Sequence, residues 1–131
     1  MSPEHPDAAV LRRTFAAFRA EPIAVGRAIA TDAVWRVGGG SPMAGEYRGR
    51  EEIFGFLRRT ATLTGGTYST ELRYVLADDE HTVAVYRATG RRGDRSLDID
   101  QALFCSLENG QLVDVTAVPF DQAAFDAFWA D

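Results

Sequence analysis

The sequence predicts an α+β fold, with helices packed on one face of a curved sheet, and three observations carry that reading. Apolar residues recur at helical spacing early in the sequence, again in its middle and once more in its last ten residues. From Tyr68 to Val118 the chain alternates or runs apolar in segments of strand length. These are divided by Asp78-Asp79-Glu80, Gly90–Asp94 and Glu108-Asn109-Gly110, each with turn chemistry. Between the two regions, Trp35 to Arg58 reads as a strand end, a run of glycines and then Gly49 leading into a helix. Helices first and a meander second is the order of an α+β protein.

The elements follow in order. From Asp7 to about Ala20, DAAVLRRTFAAFRA sets Val10, Leu11, Thr14, Phe15 and Phe18 along one side of a first helix, with Asp7 as its N-cap after Pro6. Pro22 interrupts it, since an interior proline removes a hydrogen bond and clashes with the preceding turn. A short second helix is expected over about Ile23 to Ala30, bringing Ile23, Arg27 and Ile29 towards Thr31-Asp32. Alternation through Ala33, Trp35 and Val37 predicts a first strand. Gly38-Gly39-Gly40-Ser41-Pro42 cannot continue it and must turn or bulge, with Met43 to Tyr47 as a short hairpin partner.

Arg50 to about Leu63 reads as the third helix. Ile53, Phe54, Phe56 and Leu57 form its apolar side, Glu51 and Glu52 sit where the dipole favours negative charge, and Gly65-Gly66 ends it. Tyr68–Ala77, Thr82–Thr89, Ser96–Leu107 and Gln111–Val118 then form four consecutive antiparallel strands, with Asn109-Gly110 the strongest hairpin signal in the chain. Asp121 can cap a last helix, Gln122–Trp129, which puts Phe125, Phe128 and Trp129 on one side.

Composition bounds the function. The 131 residues are of single-domain size, and residues 1–131 read as one domain able to bury a core and a ligand cavity. Net charge is -5, and the arginines of Arg12-Arg13, Arg58-Arg59 and Arg91-Arg92 are isolated pairs, so the concentrated positive face that nucleic acid requires is missing. The single cysteine, Cys105, excludes an internal disulfide, and no Cys/His spacing suggests a metal. MSPEHPDAAV lacks the apolar core of a signal peptide, and no run approaches the roughly 20 apolar residues of a membrane span. The expectation is a soluble cytoplasmic protein with no membrane or nucleic-acid partner, no metal and no cofactor.

Several strings resemble the SnoaL-like and ketosteroid-isomerase-like families of the nuclear-transport-factor-2-like superfamily. They are SPMAGEYRGREEIFGFLR (Ser41–Arg58), ADDEHTVAVYRATGRR (Ala77–Arg92), Glu108–Gly110 and FDQAAFDAFW (Phe120–Trp129). The resemblance implies a cone-shaped barrel, in which a strongly curved, mostly antiparallel sheet wraps around N-terminal helices and a deep apolar cavity. It also implies a homodimer formed through the sheet's outer face. Activities in the superfamily include steroid double-bond isomerisation, polyketide ring closure and, in a related branch, epoxide hydrolysis.

Ketosteroid isomerase uses a carboxylate base with a tyrosine and a neutral aspartic acid around the enolate oxygen. Aligned by the resemblance, these positions fall at Val37, Thr14 and Leu103, so the constellation is lost: valine accepts no proton and leucine donates no hydrogen bond. Along Leu97–Leu107, Leu97, Ile99, Leu103, Cys105 and Leu107 share a face with Gln101. Asp98 and Asp100 lie opposite, because a one-residue slip would exchange the faces entirely. Gln101 is therefore the expected polar residue of the cavity. On the neighbouring strand Val83, Val85, Arg87 and Thr89 share a parity, which points Arg87 to the cavity mouth or, by way of the strand edge, to solvent. The same count puts Ala84 and Tyr86 on an apolar outer face with Ala102, Phe104, Thr116 and Val118. Cys105 reads as an inert core thiol and His81 as a solvated turn residue.

The expected ligand-binding wall is Thr14, Phe18, Trp35, Val37, Phe56, Arg87, Gln101, Leu103 and Val115. Three readings stay open: a protein that holds a small apolar, polycyclic or polyketide-like molecule without ketosteroid-isomerase chemistry; a cyclase or isomerase acting by positioning in the same cavity; and an epoxide-hydrolase-like enzyme in which Arg87 works with Asp98 or Asp100. Whether the chain is an enzyme is left undecided by its residues.

Overall fold

Six strands form one curved, unclosed sheet in the computed structural model, which describes residues 4–20 and 22–131. They are β1 (Ile29–Val37), β2 (Gly45–Arg48), β3 (Ser69–Ala77), β4 (Thr82–Arg92), β5 (Arg95–Glu108) and β6 (Gln111–Pro119), in the spatial order β2-β1-β6-β5-β4-β3. Neighbours run antiparallel, except that β1 lies parallel to β6. Three α-helices, α1 (Pro6–Ala20), α2 (Arg50–Leu63) and α3 (Gln122–Trp129), pack on β3, on β1 and β2, and on β5 respectively. The fold is the α+β cone that the sequence predicts, and its core lies inside the sheet's curve, where Leu11, Ile29, Ile53, Leu112, Val115 and Phe128 are almost fully buried.

The boundaries follow local chemistry. Helix α1 begins at Pro6 rather than being capped by Asp7: proline fits a first helical position because its missing N–H is unneeded there. The Asp7 amide instead donates to His5 Nδ1 at 3.1 Å, and His5 Nε2 meets the Asp79 carboxylate at 3.0 Å in the β3–β4 turn. The expected second helix is a 3-10 segment, Pro22–Ala28, and Ile23 lies outside the side chains described. Strand β1 starts at Ile29, earlier than the Ala33 that alternation suggests, because an irregularity in its pairing with β6 between Ile29 and Val34 breaks the alternation there.

The turns behave as their residues dictate. Gly65 and Gly66, at φ 59° and 81°, end α2, and the Gly66 amide donates to the Ala61 carbonyl at 2.8 Å. Asn109 and Gly110, at φ 52° and 76°, make the left-handed turn that joins β5 to β6. Asp121 caps α3 by accepting the Ala124 amide at 3.0 Å. The far end of α3 is held by Arg92, which donates to the carbonyls of Phe128 and Ala130 at 2.7 and 2.9 Å and lies over the Trp129 ring. Its first turns are tied to the glycine loop by the Gly40 amide, which donates to Asp126 at 3.1 Å.

One expected parity is corrected. On β5, Leu97, Gln101, Leu103 and Cys105 look inward, while Asp98 and Phe104 look outward. On β4 the inward set is Thr82, Ala84, Tyr86, Ala88 and Gly90, so Ala84 and Tyr86 are not on the outer face and Arg87 is. Residues paired across an antiparallel ladder share a face. Tyr86 pairs with Gln101 and Arg87 with Asp100, which leaves no other arrangement.

Candidate functional site

Inside the cone lies a cavity that opens to solvent at its mouth. Helix α1 contributes Leu11, Thr14, Phe15 and Phe18, and α2 contributes Phe56, Leu57 and Thr60. The sheet supplies Trp35 and Val37 from β1, Thr70 from β3, Tyr86 from β4, Gln101 and Leu103 from β5, and Leu112 and Ala117 from β6. Val25, Met43, Tyr68, Phe125 and Trp129 complete the wall.

Aromatic rings hold one another in two groups and one further pair. Trp35, Phe56 and Tyr47 form one, with Trp35–Phe56 centroids at 6.3 Å and Tyr47–Phe56 at 4.7 Å. Tyr68 bridges the other, 6.5 Å from Phe18 and 5.8 Å from Trp129. Tyr86 stands 5.0 Å from Phe15. Such offset and edge-on contacts fix the rings beyond what area burial provides, so the cavity has stiff walls.

Its polar centre is Gln101, whose Nε2 donates to the Tyr86 hydroxyl at 2.8 Å. Burial pushes the Tyr86 phenol well above its ordinary range. Burial likewise lifts Tyr68 to about 12, with the nearby Gln101 amide opposing the shift. Both phenols are therefore neutral at physiological pH and can only donate or accept hydrogen bonds. Thr14 and Thr60 direct their hydroxyls to the carbonyls of Val10 and Leu57. Among the described residues, three buried side-chain polar atoms have no hydrogen-bond partner: Trp35 Nε1, Thr70 Oγ1 and Gln101 Oε1. All three belong to the cavity wall. Leaving such an atom unpaired costs about 1–3 kcal/mol, so three in one wall are a pattern rather than an accident of packing.

The wall carries no carboxylate, imidazole, lysine or arginine among the described residues. Asp98 and Asp100 point away from it: Arg87 grips Asp98 through two bonds of 2.8 and 2.7 Å, and Arg73 meets Asp100 at 2.8 Å. This ladder of exposed ion pairs sits on the sheet's outer surface with Glu71 beside it, so the Arg–Asp grouping behind the epoxide-hydrolase reading lies outside the cavity. No group of three or more His, Cys, Asp or Glu side chains gathers to hold a metal among the described residues. Cys105 is buried, and desolvation raises its thiol to about 12, far from a reactive thiolate.

Of the nine residues expected from the sequence, Thr14, Phe18, Trp35, Val37, Phe56, Gln101 and Leu103 lie together on the wall. Val115 is buried in the core, paired with Cys105, and does not reach it. Arg87 is corrected to the outer surface, where its charge is solvated and paired. Tyr68, Thr70 and Tyr86 were missed. The available signal was the two-residue link Gly93-Asp94, which pairs Arg92 with Arg95 and so counts Tyr86 onto the face of Gln101.

Comparisons with known proteins agree with this geometry. The profile of the SnoaL-like domain matches residues 11–115. An uncharacterized protein of Mycobacterium tuberculosis (strain H37Rv) is 32% identical over 126 residues, covering 95% of this chain and 96% of its own. The solved structure of Bal32a, from a soil-derived mobile gene cassette, is 32% identical, covers 95% of this chain and 96% of its own, and superposes with a TM-score of 0.91. TerC, co-crystallized with polyporic acid, is 18% identical over 95% of this chain and 98% of its own, with a TM-score of 0.82, a likeness of fold alone.

Proposed function

The chain belongs to the SnoaL-like domain family, and on that premise we propose that it holds a small apolar molecule, of polycyclic or polyketide-like shape, in the cavity inside its cone. The observation that carries this reading is the character of the wall: almost wholly aliphatic and aromatic, with Gln101 as its polar centre and no acid or base able to ionise near neutral pH among the described residues. Apolar burial supplies the affinity, and a few hydrogen bonds fix orientation.

The positions that would carry ketosteroid-isomerase chemistry hold Thr14, Val37 and Leu103, so abstraction of a proton by a wall residue has no agent there. A cyclase or isomerase acting by positioning is the second reading, supported by the stiff ring-lined walls. A bound chain folded against Trp35 and Phe56 would be confined to few conformers.

A homodimer through the sheet's outer face belongs to the same proposal. Leu76, Val83, Phe104 and Thr116 are successive cross-strand neighbours there, as are Tyr74, Val85, Ala102 and Val118. Phe104 and Leu76 are half or more exposed, and contiguous exposed apolar surface of this kind marks interaction sites. No helix among the described residues is long and apolar enough to cross a membrane, and a cytoplasmic setting is part of the reading.

The test is native mass spectrometry of the purified protein for a retained molecule. Thr14→Val and Gln101→Ala should weaken its retention, and unchanged retention in both variants would locate binding elsewhere.

A further inference from the structure

Trp35 Nε1, Thr70 Oγ1 and Gln101 Oε1 are unpartnered, and their side chains are 8%, 5% and 3% exposed. They do not stand together. Trp35 pairs with Val115 on β6, which pairs with Cys105 on β5, four positions along that strand from Gln101. Strand geometry therefore separates Trp35 from Gln101 by about 13 Å along the sheet and about 10 Å across it, before curvature turns the two side chains towards a shared interior. Thr70 lies on the far side of Gln101 from Trp35: it pairs with Ala88 on β4 where Gln101 pairs with Tyr86, so the same geometry sets it about 10 Å across and about 7 Å along from Gln101. The cavity thus has two polar ends of opposite character. One offers the Gln101 acceptor oxygen beside the Tyr86 hydroxyl that the same amide meets, and the other offers an indole N–H, which can only donate.

Resting on the small-molecule reading above, we propose that the cavity selects an uncharged ring compound carrying a hydroxyl at one end and a carbonyl-type oxygen at the other. The hydroxyl donates to Gln101 Oε1, and the carbonyl accepts from Trp35 Nε1. An ionised ligand is rejected, because the wall offers no opposite charge among the described residues and a desolvated, unpaired ion is strongly disfavoured. A pure hydrocarbon fills the cavity and leaves all three polar atoms unpaired. Sites with buried polar groups discriminate sharply against ligands that lack the matching group.

The test uses four probes on one bicyclic skeleton: a hydroxytetralone with its oxygens at opposite ends, the tetralone, the hydroxytetralin and tetralin itself. Each is titrated calorimetrically into the wild type and into Gln101→Leu, Trp35→Phe and Thr70→Val, with circular dichroism establishing that each variant folds. The hydroxytetralone should bind the wild type about tenfold to a hundredfold more tightly than tetralin. Gln101→Leu should erase the advantage of the hydroxyl and keep that of the carbonyl, and Trp35→Phe should do the reverse. Thr70→Val, away from both of these groups, should leave both advantages intact, and Gln101→Met serves should Gln101→Leu fail to fold. Four probes binding with one affinity would overturn the two-ended recognition and leave the cavity reading standing. Tightest binding by the corresponding tetralin carboxylate, titrated as a charged control beside the four, would also overturn it. No binding by any probe, tetralin included, would remove the cavity reading as well.

Discussion

The Gln101 side-chain amide donates to the Tyr86 hydroxyl at 2.8 Å between residues that face each other directly across the β4–β5 ladder. The bond is buried, and it leaves Gln101 Oε1 unpaired. The pair is thus a poor device for stability and a good one for holding an amide in a fixed orientation. Replacing both partners by apolar groups of similar shape is close to neutral, whereas removing one strands the other. Tyr86→Phe should therefore lower the unfolding free energy by about 1–3 kcal/mol. The double variant Tyr86→Phe with Gln101→Leu should return to within about 1 kcal/mol of the wild type. Urea denaturation of the four proteins in the cycle measures this, and a double variant less stable than Tyr86→Phe alone would show that the pair serves the fold.

The same two residues mark where the sequence could be read and where it could not. Strand β5 announces its faces, because apolar residues alternate with Asp98 and Asp100 and carboxylates do not enter an apolar interior unpaired. Strand β4 announces nothing between Thr82 and Val85. Its outward residues, Val83 and Val85, are more apolar than its inward ones, and Val85 is buried although it faces outward. Helices α2 and α3 end where their glycines and their aspartate cap put them, since those signals act locally. Tyr68 and Thr70, just after the Gly65-Gly66 stop, join the cavity only through the curvature of the sheet, which no periodicity records.

Gly39 is the second test. Its φ of 104° lies where side chains are strained, and a methyl group built on it would run into the Asp126 carboxylate and the Gln122 amide of α3. Those groups anchor the first turns of α3 to the loop after β1, and α3 contributes Phe125 and Trp129 to the cavity wall. Gly39→Ala should destabilise the protein by about 1–3 kcal/mol, chiefly through backbone strain, with the Asp126 side chain pushed off the Gly40 amide. Hydrogen exchange should accelerate in α3 before it does in β5. Gly38→Ala, with open space around the same built atom, is the control and should change little. Equal effects of the two substitutions would argue against this account.

The exposed apolar rows on the outer face predict association. Phe104 is 50% exposed between Val83 and Thr116, at the middle of the sheet. Covering it with a second copy removes a half-exposed ring from water, and a charge placed there would be buried without a partner. Light scattering at micromolar concentration should give about twice the 14.3 kDa of one chain for the wild type and the single-chain mass for Phe104→Arg, with unchanged circular dichroism. A monomeric wild type would remove the dimer proposal and leave the cavity untouched.

Alkaline pH should expose the cost of the buried thiol. Desolvation is the largest cause of the shift that lifts Cys105 from 9.0 to about 12 in the folded chain, with the nearby charge of Asp114 adding to it. Both causes favour the protonated form, so the folded state binds this proton more tightly than the unfolded chain does. The stabilisation is present in full below pH 9 and is lost as pH rises from there towards about 12. Tyr68, lifted from 10.0 to about 12 chiefly by burial, acts in the same direction over the upper part of that window. Unfolding free energy measured against pH should be flat with respect to these groups up to pH 9 and should then fall by up to about 1.4 kcal/mol per pH unit for each titrating group. Cys105→Val removes one contributor and should make the descent between pH 9 and 10 shallower, while the fall above pH 10 remains. In the folded wild type at pH 8 the thiol should resist an aromatic disulfide reagent and react only on denaturation. Rapid modification of the native protein at that pH would mean that Cys105 is neither desolvated nor inert.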